Sequence, residues 1–346
     1  MWPYLASDFG NPSSTHALGE SAAVALEQAR KTVAGFLGAR ASEIVFTSGG
    51  SEANNLAIKG IALAAPRGRH IVTTGIEHEA ILESVDYLVR FHDFEVSFVP
   101  LAHDGLVTRA ALDAVVRPDT TLVSIHHANN EIGTVQPIAH LAQGLGIPFH
   151  TDAVQSAGWI PLPSVDAITI AGHKLGAPKG IGALGIRATV PLEPLIHGGG
   201  QERGRRSGTE NVAGAVGLAT AAQLAHADVS EVRDLLIDGV LAGVPSAILT
   251  GSRSSRLPNH ASFMFPGTSG EAVLLELERH GIVCSSGSAC AAGSDEPSHV
   301  LLALGIDPVV AQTAVRFTLS DTTTLDEARF TIARVSDAVA ALTSLR

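Results

Sequence analysis

In "ITIAGHKLGAPKGIGAL", residues 168–184, an apolar run with the character of a buried strand ends on Gly172-His173-Lys174 and gives way to a loop of Gly, Pro and one more lysine. A lysine near a turn ordinarily snorkels, with its stem on apolar surface and its amine in water. The second use of such a lysine is chemical: partly desolvated beside a phosphate-bearing ring, its amine can form a Schiff base with an aldehyde. Asp152 closes the preceding run "IPFHTD", 22 residues earlier, and Gln155 follows three positions on. Taken alone, Asp152 reads as a helix N-cap. If buried, its carboxylate needs a positive partner, and a protonated pyridine nitrogen is one. "TSGGSEANN" sets Gly49, Gly50 and Ser51 between a strand and a helix, where unpaired amide N–H groups and the helix dipole favour an anion, typically phosphate. Taken alone this stretch is an ordinary helix start, with Ser51 capping a helix that begins at Glu52. It lacks the Gly-Lys-Ser/Thr ending of a Walker motif and the full dinucleotide glycine pattern. A phosphate turn, an Asp and a Lys on successive strand ends together describe a pyridoxal phosphate site.

The elements that must position these residues alternate along the chain. Short β-rich runs fall at 42–49, 70–75, 95–101, 120–128, 147–153 and 166–172. Helical spacing of apolar residues marks 20–37, 52–65, 79–91, 108–115 and 137–144. Strands alternating with helices predict an α/β architecture with a mainly parallel sheet and right-handed crossovers, with its site at strand ends. After a helix at 211–226 the pattern shifts: a strand pair around 247–250 and 259–266, a helix at 270–280, "IVCSSGSACAAGS", a strand "AVRFTLS" at 314–320 and a closing helix at 325–344. This predicts a large domain over 10–225 and a smaller α+β domain over 226–346 that carries the second cysteine.

Composition bounds the function. The 346 residues are 45% hydrophobic and 16% charged, enough to bury a large core and against disorder. With 23 Lys+Arg against 34 Asp+Glu and no long basic run, nucleic acid and anionic membrane surfaces are poor partners, and small molecules or proteins better ones. No apolar stretch is long enough to span a bilayer, and the first residues lack a basic segment followed by an apolar core. Cys284 and Cys290 form neither a disulfide framework nor a structural zinc set, which fits a reducing cytoplasm. A zinc hydrolase is disfavoured. "EHEAILE" has no second histidine at i+4, and His126-His127 would project to opposite faces of a strand.

"TSGGSEANN", "EHEA", "ANNEIGTVQPI", "HTDAVQ", "AGHKLGAPKGIGAL", "HGGGQERGRRSGT" and "SSGSACAAG" follow one another in the order seen in cysteine desulfurases, and the chain resembles them over nearly its whole length. These are fold type I pyridoxal 5'-phosphate enzymes of the class V aminotransferase group. The resemblance implies that Lys174 binds the cofactor covalently, that Asp152 keeps the pyridine nitrogen protonated, and that Gln155 bonds the ring's phenolic oxygen. It implies that His78 stacks on the ring and shuttles protons. Gly50 and Ser51 match the phosphate cup, His173 its second segment, and Thr209 a threonine given to the other subunit of a homodimer. Asn130 is similar to an asparagine near the substrate and the ring oxygen, and Arg316 to the arginine that holds the substrate carboxylate by a bidentate pair.

Cys290 resembles the thiol that takes sulfur from L-cysteine, leaving alanine and an enzyme persulfide. The sulfur would pass to a protein acceptor such as an iron–sulfur scaffold or a sulfur relay protein. The glycine- and alanine-rich surroundings of Cys290 suit a mobile loop. Cys284, in "GIVCSS", reads as a buried, inert strand residue. Two departures stand out. Ala171 occupies a position that is usually a phosphate-binding serine, and the chain opens almost directly at "FGNPSSTHALG", without the Tyr-Leu-Asp-x-x-Ala-Thr-Thr type segment that precedes it in the family. A selenocysteine lyase or another carbon–sulfur lyase would share most of these residues, with Cys290 tilting the choice toward desulfuration. A non-catalytic descendant of the fold would have no chemical reason to keep Lys174, Asp152, His78, Cys290 and Arg316 together.

Overall fold

Strands form where short β-branched runs are buried on both faces. Every residue is buried in Ile44–Thr47 (β1), His70–Thr73 (β2), Thr120–Ser124 (β4), Phe149–Asp152 (β5), Ala167–Ala171 (β6) and Gly182–Ile186 (β7), while Glu95–Phe98 (β3) is partly exposed at one edge. The computed structural model describes residues 1–64, 66–224, 226–287 and 296–344. Among these, the seven strands make one sheet in the order β1-β7-β6-β5-β4-β2-β3. β3, β2, β4, β5 and β6 run parallel, and β7 is antiparallel to both β6 and β1.

Side chains alternate between the two faces of the sheet, as the period of two requires. Ile44 and Phe46 of β1 join one apolar core with Ala17–Leu37 (α2) and Val212–Ala222 (α7). Val45 joins the other with Gly50–Ala64 (α3) and Glu79–His92 (α4). Helices on both faces are what a mainly parallel sheet needs to cover its apolar strands. The short helices Trp2–Ala6 (α1), Arg109–Val115 (α5) and Ile138–Ala142 (α6) belong to the same unit.

The second unit has a sheet of the order β10-β11-β9-β8, all antiparallel, from Ile248–Leu249 (β8), His260–Met264 (β9), Ser285–Ser286 (β10) and Ala314–Thr318 (β11). Its core draws on Ser230–Gly243 (α8), Gly270–Glu278 (α9) and Leu325–Ser344 (α12). Two short helices, His299–Ala303 (α10) and Pro308–Ala311 (α11), precede β11.

Four expectations change. The units are 1–99, 109–127 and 137–225 against 100–108, 128–136 and 226–346, so two excursions within 10–225 group with the C-terminal residues. "GALGI" in the glycine-rich loop is a strand, because glycine lets β7 pass closely between its neighbours: a Cβ on Gly182 would stand 2.6 Å from the Gly49 carbonyl carbon. The strand expected over 120–128 stops at Ser124: beyond it Ile125 and His127 still donate to β5 carbonyls, but on the other edge the Glu77 carboxylate, not a strand, takes the His126 N–H. Finally, α3 begins at Gly50, so Ser51 lies in its first turn and does not cap it.

Candidate functional site

In the first unit the ends of β1, β5 and β6 converge on the start of α3. A Cβ on Gly50 would stand 2.9 Å from Val154 Cγ2, just past β5, and 3.3 Å from the Ala171 Cβ that ends β6. Glycine is therefore required at the helix start for this approach. The first-turn N–H groups of α3 have no intrahelical acceptor, which leaves Gly50 and Ser51 able to hold an anion. Ser51 is exposed. The start of the helix is braced on its other side: Glu52 accepts from the Ser48 N–H at 2.9 Å and pairs with Arg206 Nε at 2.9 Å.

Asp152 ends β5 and is 8% exposed. Its Oδ1 accepts from the Val154 N–H at 2.9 Å and its Oδ2 from Asn54 Nδ2 at 2.6 Å. Burial pushes its pKa up, against these two bonds and the nearby His78. A cation bound at this carboxylate would offset the cost of burying it. Lys174 ends the 3-10 turn Gly172–Lys174 that follows β6, and β6 pairs with β5 so that Thr169 stands opposite Asp152. The turn is tight because the Leu175 N–H donates to the Gly172 carbonyl. Lys174 and His173 are exposed, so the desolvation expected for Lys174 is not supplied by the chain alone. Burial, then Lys174 and Lys179, lowers the pKa of His173. Gln155 is half-buried just beyond β5.

His78 is the N-cap of α4, its Nδ1 accepting from the Ala80 N–H at 3.0 Å. That bond fixes the ring and leaves Nε2 as the nitrogen that can hold or move a proton. Thr209 is exposed, on a segment anchored by Glu202, which pairs with Arg30 at 2.6 and 2.8 Å and accepts from the Phe46 N–H.

Two partners were missed in the sequence. Asn54 carries a legible signal, a polar residue among the buried positions of an otherwise apolar helix face. His126 does not, since its partner Glu77 is 49 positions away at 2.9 Å. Burial alone would lower the His126 pKa, but the Glu77 carboxylate overrides this and the net direction is up. His127 bonds Ser156 instead, so the adjacent histidines part company, though beyond the strand that was expected to hold them.

In the second unit, Asn130 and Arg316 are brought together: Arg316 Nη1 donates to the Asn130 carbonyl at 2.8 Å. The same excursion holds Glu131, which accepts from the Ser298 hydroxyl. Cys284 is half-buried just before β10, outside the strand expected for it, and burial with nearby Glu278 pushes its thiol up to about 12. It is therefore protonated and poorly nucleophilic at neutral pH. Cys290 lies outside the described residues.

A buried carboxylate at one strand end, a lysine at the next and an amide-lined helix start fit a ring cation, an aldehyde and a phosphate. The fold is that of the fold type I pyridoxal phosphate enzymes, and the aminotransferase class-V family matches residues 1–329. The "Cysteine desulfurase IscS" of Dictyoglomus turgidum is 44% identical over 347 residues, spanning 96% of this chain and 88% of that protein. A solved structure described as a "NifS-like protein" superposes with a TM-score of 0.89 at 37% identity, covering 99% of this chain and 94% of that one. Another, "SspA in complex with cysteine", gives 0.82 at 36% identity over 93% and 94%. The chain belongs to the class-V aminotransferase family and, within it, to the pyridoxal phosphate-dependent cysteine desulfurases.

Proposed function

We propose that this protein converts L-cysteine to L-alanine and takes the sulfur onto Cys290 as a persulfide. The observation that carries this reading is the buried Asp152 carboxylate, held by Asn54 and Val154 one strand away from the turn that presents Lys174. Pyridoxal phosphate, when bound, withdraws electrons from the bonds around the substrate Cα and so weakens the Cβ–S bond. Asp152 would stay ionised against the ring nitrogen, and Lys174 would carry the cofactor. The α3 start at Gly50 and Ser51, with His173, would take the phosphate, and Gln155 the phenolic oxygen. His78, its Nδ1 already engaged, would lie against the ring and move protons through Nε2. Arg316 would take the substrate carboxylate, with Asn130 beside the substrate. The Cys290 thiolate then attacks the substrate sulfur. The S–S bond forms as the C–S bond breaks, and the carbon product takes a proton to become alanine.

The exposure of Thr209 supports a homodimer in which it completes the neighbouring phosphate site. The persulfide would pass to a protein acceptor, an iron–sulfur scaffold or a sulfur relay protein. On the same reading the enzyme works in the cytoplasm, where its thiols stay reduced; among the described residues no helix is long and apolar enough to cross a membrane. The test is mass spectrometry of the enzyme after one turnover with cysteine, alongside alanine release. Wild type should gain one sulfur on Cys290, and Cys290→Ser should gain none. Undiminished sulfide release from Cys290→Ser would replace this reading with a lyase that expels sulfur directly.

A further inference from the structure

One backbone carbonyl in the second unit is shared by two side chains. The Asn130 oxygen accepts from Arg316 Nη1 at 2.8 Å and lies 3.2 Å from His260 Nε2. A carbonyl oxygen can only accept and has two lone pairs, so it can take both bonds; Nε2 must carry the imidazole proton and Nδ1 must be bare. His260 is 2% exposed, and Nδ1 is buried without a hydrogen-bond partner. It faces Gly133, where a Cβ would stand 2.4 Å from Nδ1 and where φ is +72°. Glycine is thus needed there for both its backbone and its lack of a side chain.

An apolar side chain at position 260 would bury no unpaired acceptor. What the histidine adds is the Nε2–H. Burial, then the guanidinium groups of Arg256 and Arg316, keeps its pKa well below the usual histidine range, so it stays neutral and does not compete with Arg316 for an anion. In the ladder of β9 with β11, His260 stands opposite Thr318 and Ser262 opposite Arg316, which puts the imidazole and the guanidinium on one face of the sheet.

We propose that His260 is a positioning residue for Arg316: its Nε2–H fixes the Asn130 carbonyl, and that oxygen in turn orients the guanidinium that receives the substrate carboxylate. This rests on the role assigned to Arg316 above, and the experiment separates the two. On the holoenzyme, the dissociation constant of L-alanine is measured by titration, together with KM and kcat for cysteine. Arg316→Ala should weaken L-alanine by at least about tenfold, the loss of hydrogen bonds to a charged group. If it does not, the Arg316 role fails and His260 loses its object. His260→Leu should raise the L-alanine dissociation constant and the cysteine KM by about three- to tenfold, one neutral hydrogen bond, with little change in kcat. His260→Gln, whose amide can reach the same carbonyl, should restore both, and His260→Leu should add nothing in the Arg316→Ala background. If His260→Leu does not fold, His260→Asn, too short to reach, replaces it. Unchanged L-alanine binding in the His260 variant beside a clear loss in Arg316→Ala would overturn the proposal. So would a full additive loss in the double variant, which a merely structural role predicts.

Discussion

Removing Glu202 should cost the protein a large share of its stability. Its carboxylate pairs with Arg30 at 2.6 and 2.8 Å with both side chains nearly sealed from solvent, at 2% and 5% exposure, and also accepts from the Phe46 N–H at 3.1 Å. Glu202→Ala leaves the buried guanidinium with only the half-exposed Glu27, 3.6 Å from its Nε, as countercharge, which costs about 3 kcal/mol, the low end for breaking a buried pair, and orphans the Phe46 N–H. Backbone strain does not enter the difference, because Glu202 and its replacement both sit at φ 50°, outside the range where side chains are comfortable. Arg30→Met in the same background removes the stranded charge. Only the Phe46 N–H and the Ile44 carbonyl, which Arg30 also serves, are then unpaired, so the double variant should be no worse than Glu202→Ala. A double-mutant cycle should therefore return a coupling of about 2 kcal/mol or more. Urea unfolding at one fixed excess of pyridoxal phosphate keeps cofactor linkage equal among the four proteins. A loss below about 1 kcal/mol in Glu202→Ala, or simple additivity, would refute the view that this pair is a desolvated anchor. Because the segment it anchors carries Thr209, the same variant should also hold the cofactor less tightly if Thr209 completes the neighbouring phosphate site as proposed.

Other outcomes follow from single groups. Lys174→Ala should abolish visible absorbance and the borohydride-reducible bond to pyridoxal phosphate; retention of that bond would mean another lysine carries the cofactor. Cys284 should resist iodoacetamide in the folded enzyme at pH 7.5, since its thiol is pushed up to about 12, and Cys284→Ser should leave persulfide formation unchanged. Burial holds His150 at about 3, between the Ser124 and Thr169 hydroxyls, so its folded pKa lies below the unfolded value of about 6.5. Nothing is lost above pH 6.5; from there down to about pH 3 the unfolded chain binds a proton that the folded chain refuses, so stability falls by about 1.4 kcal/mol per pH unit. His150→Gln should flatten that slope by one proton in urea midpoints taken between pH 7 and 5, and an unchanged slope would show that His150 does not titrate this way. On the proposed homodimer, Thr209→Ala should weaken the cofactor while leaving the protein a dimer, read by equilibrium dialysis and sedimentation; a monomeric wild type would refute the shared site.

The alternation of strands and helices, and the position of Asp152 and Lys174 at strand ends, were written locally. Short β-branched runs, helical periodicity and glycine punctuation act within a few residues, and each left its mark in the order of the letters. Long-range partners leave no such mark. Glu77 reaches His126 across 49 positions, and His260 reaches Asn130 across 130. The strand "GALGI" carried the letters of a loop, and only its place between β1 and β6, with Gly182 packed against the Gly49 backbone, made it a strand. The excursions 100–108 and 128–136 were equally opaque, since their grouping with the C-terminal residues depends on pairings such as Thr134 with Arg256 that no local pattern encodes. Chemistry at the strand ends could be read from the sequence because the backbone fixes where a strand ends; the shell that orients it could not, because it is assembled from residues far apart in the chain that meet only when each unit folds.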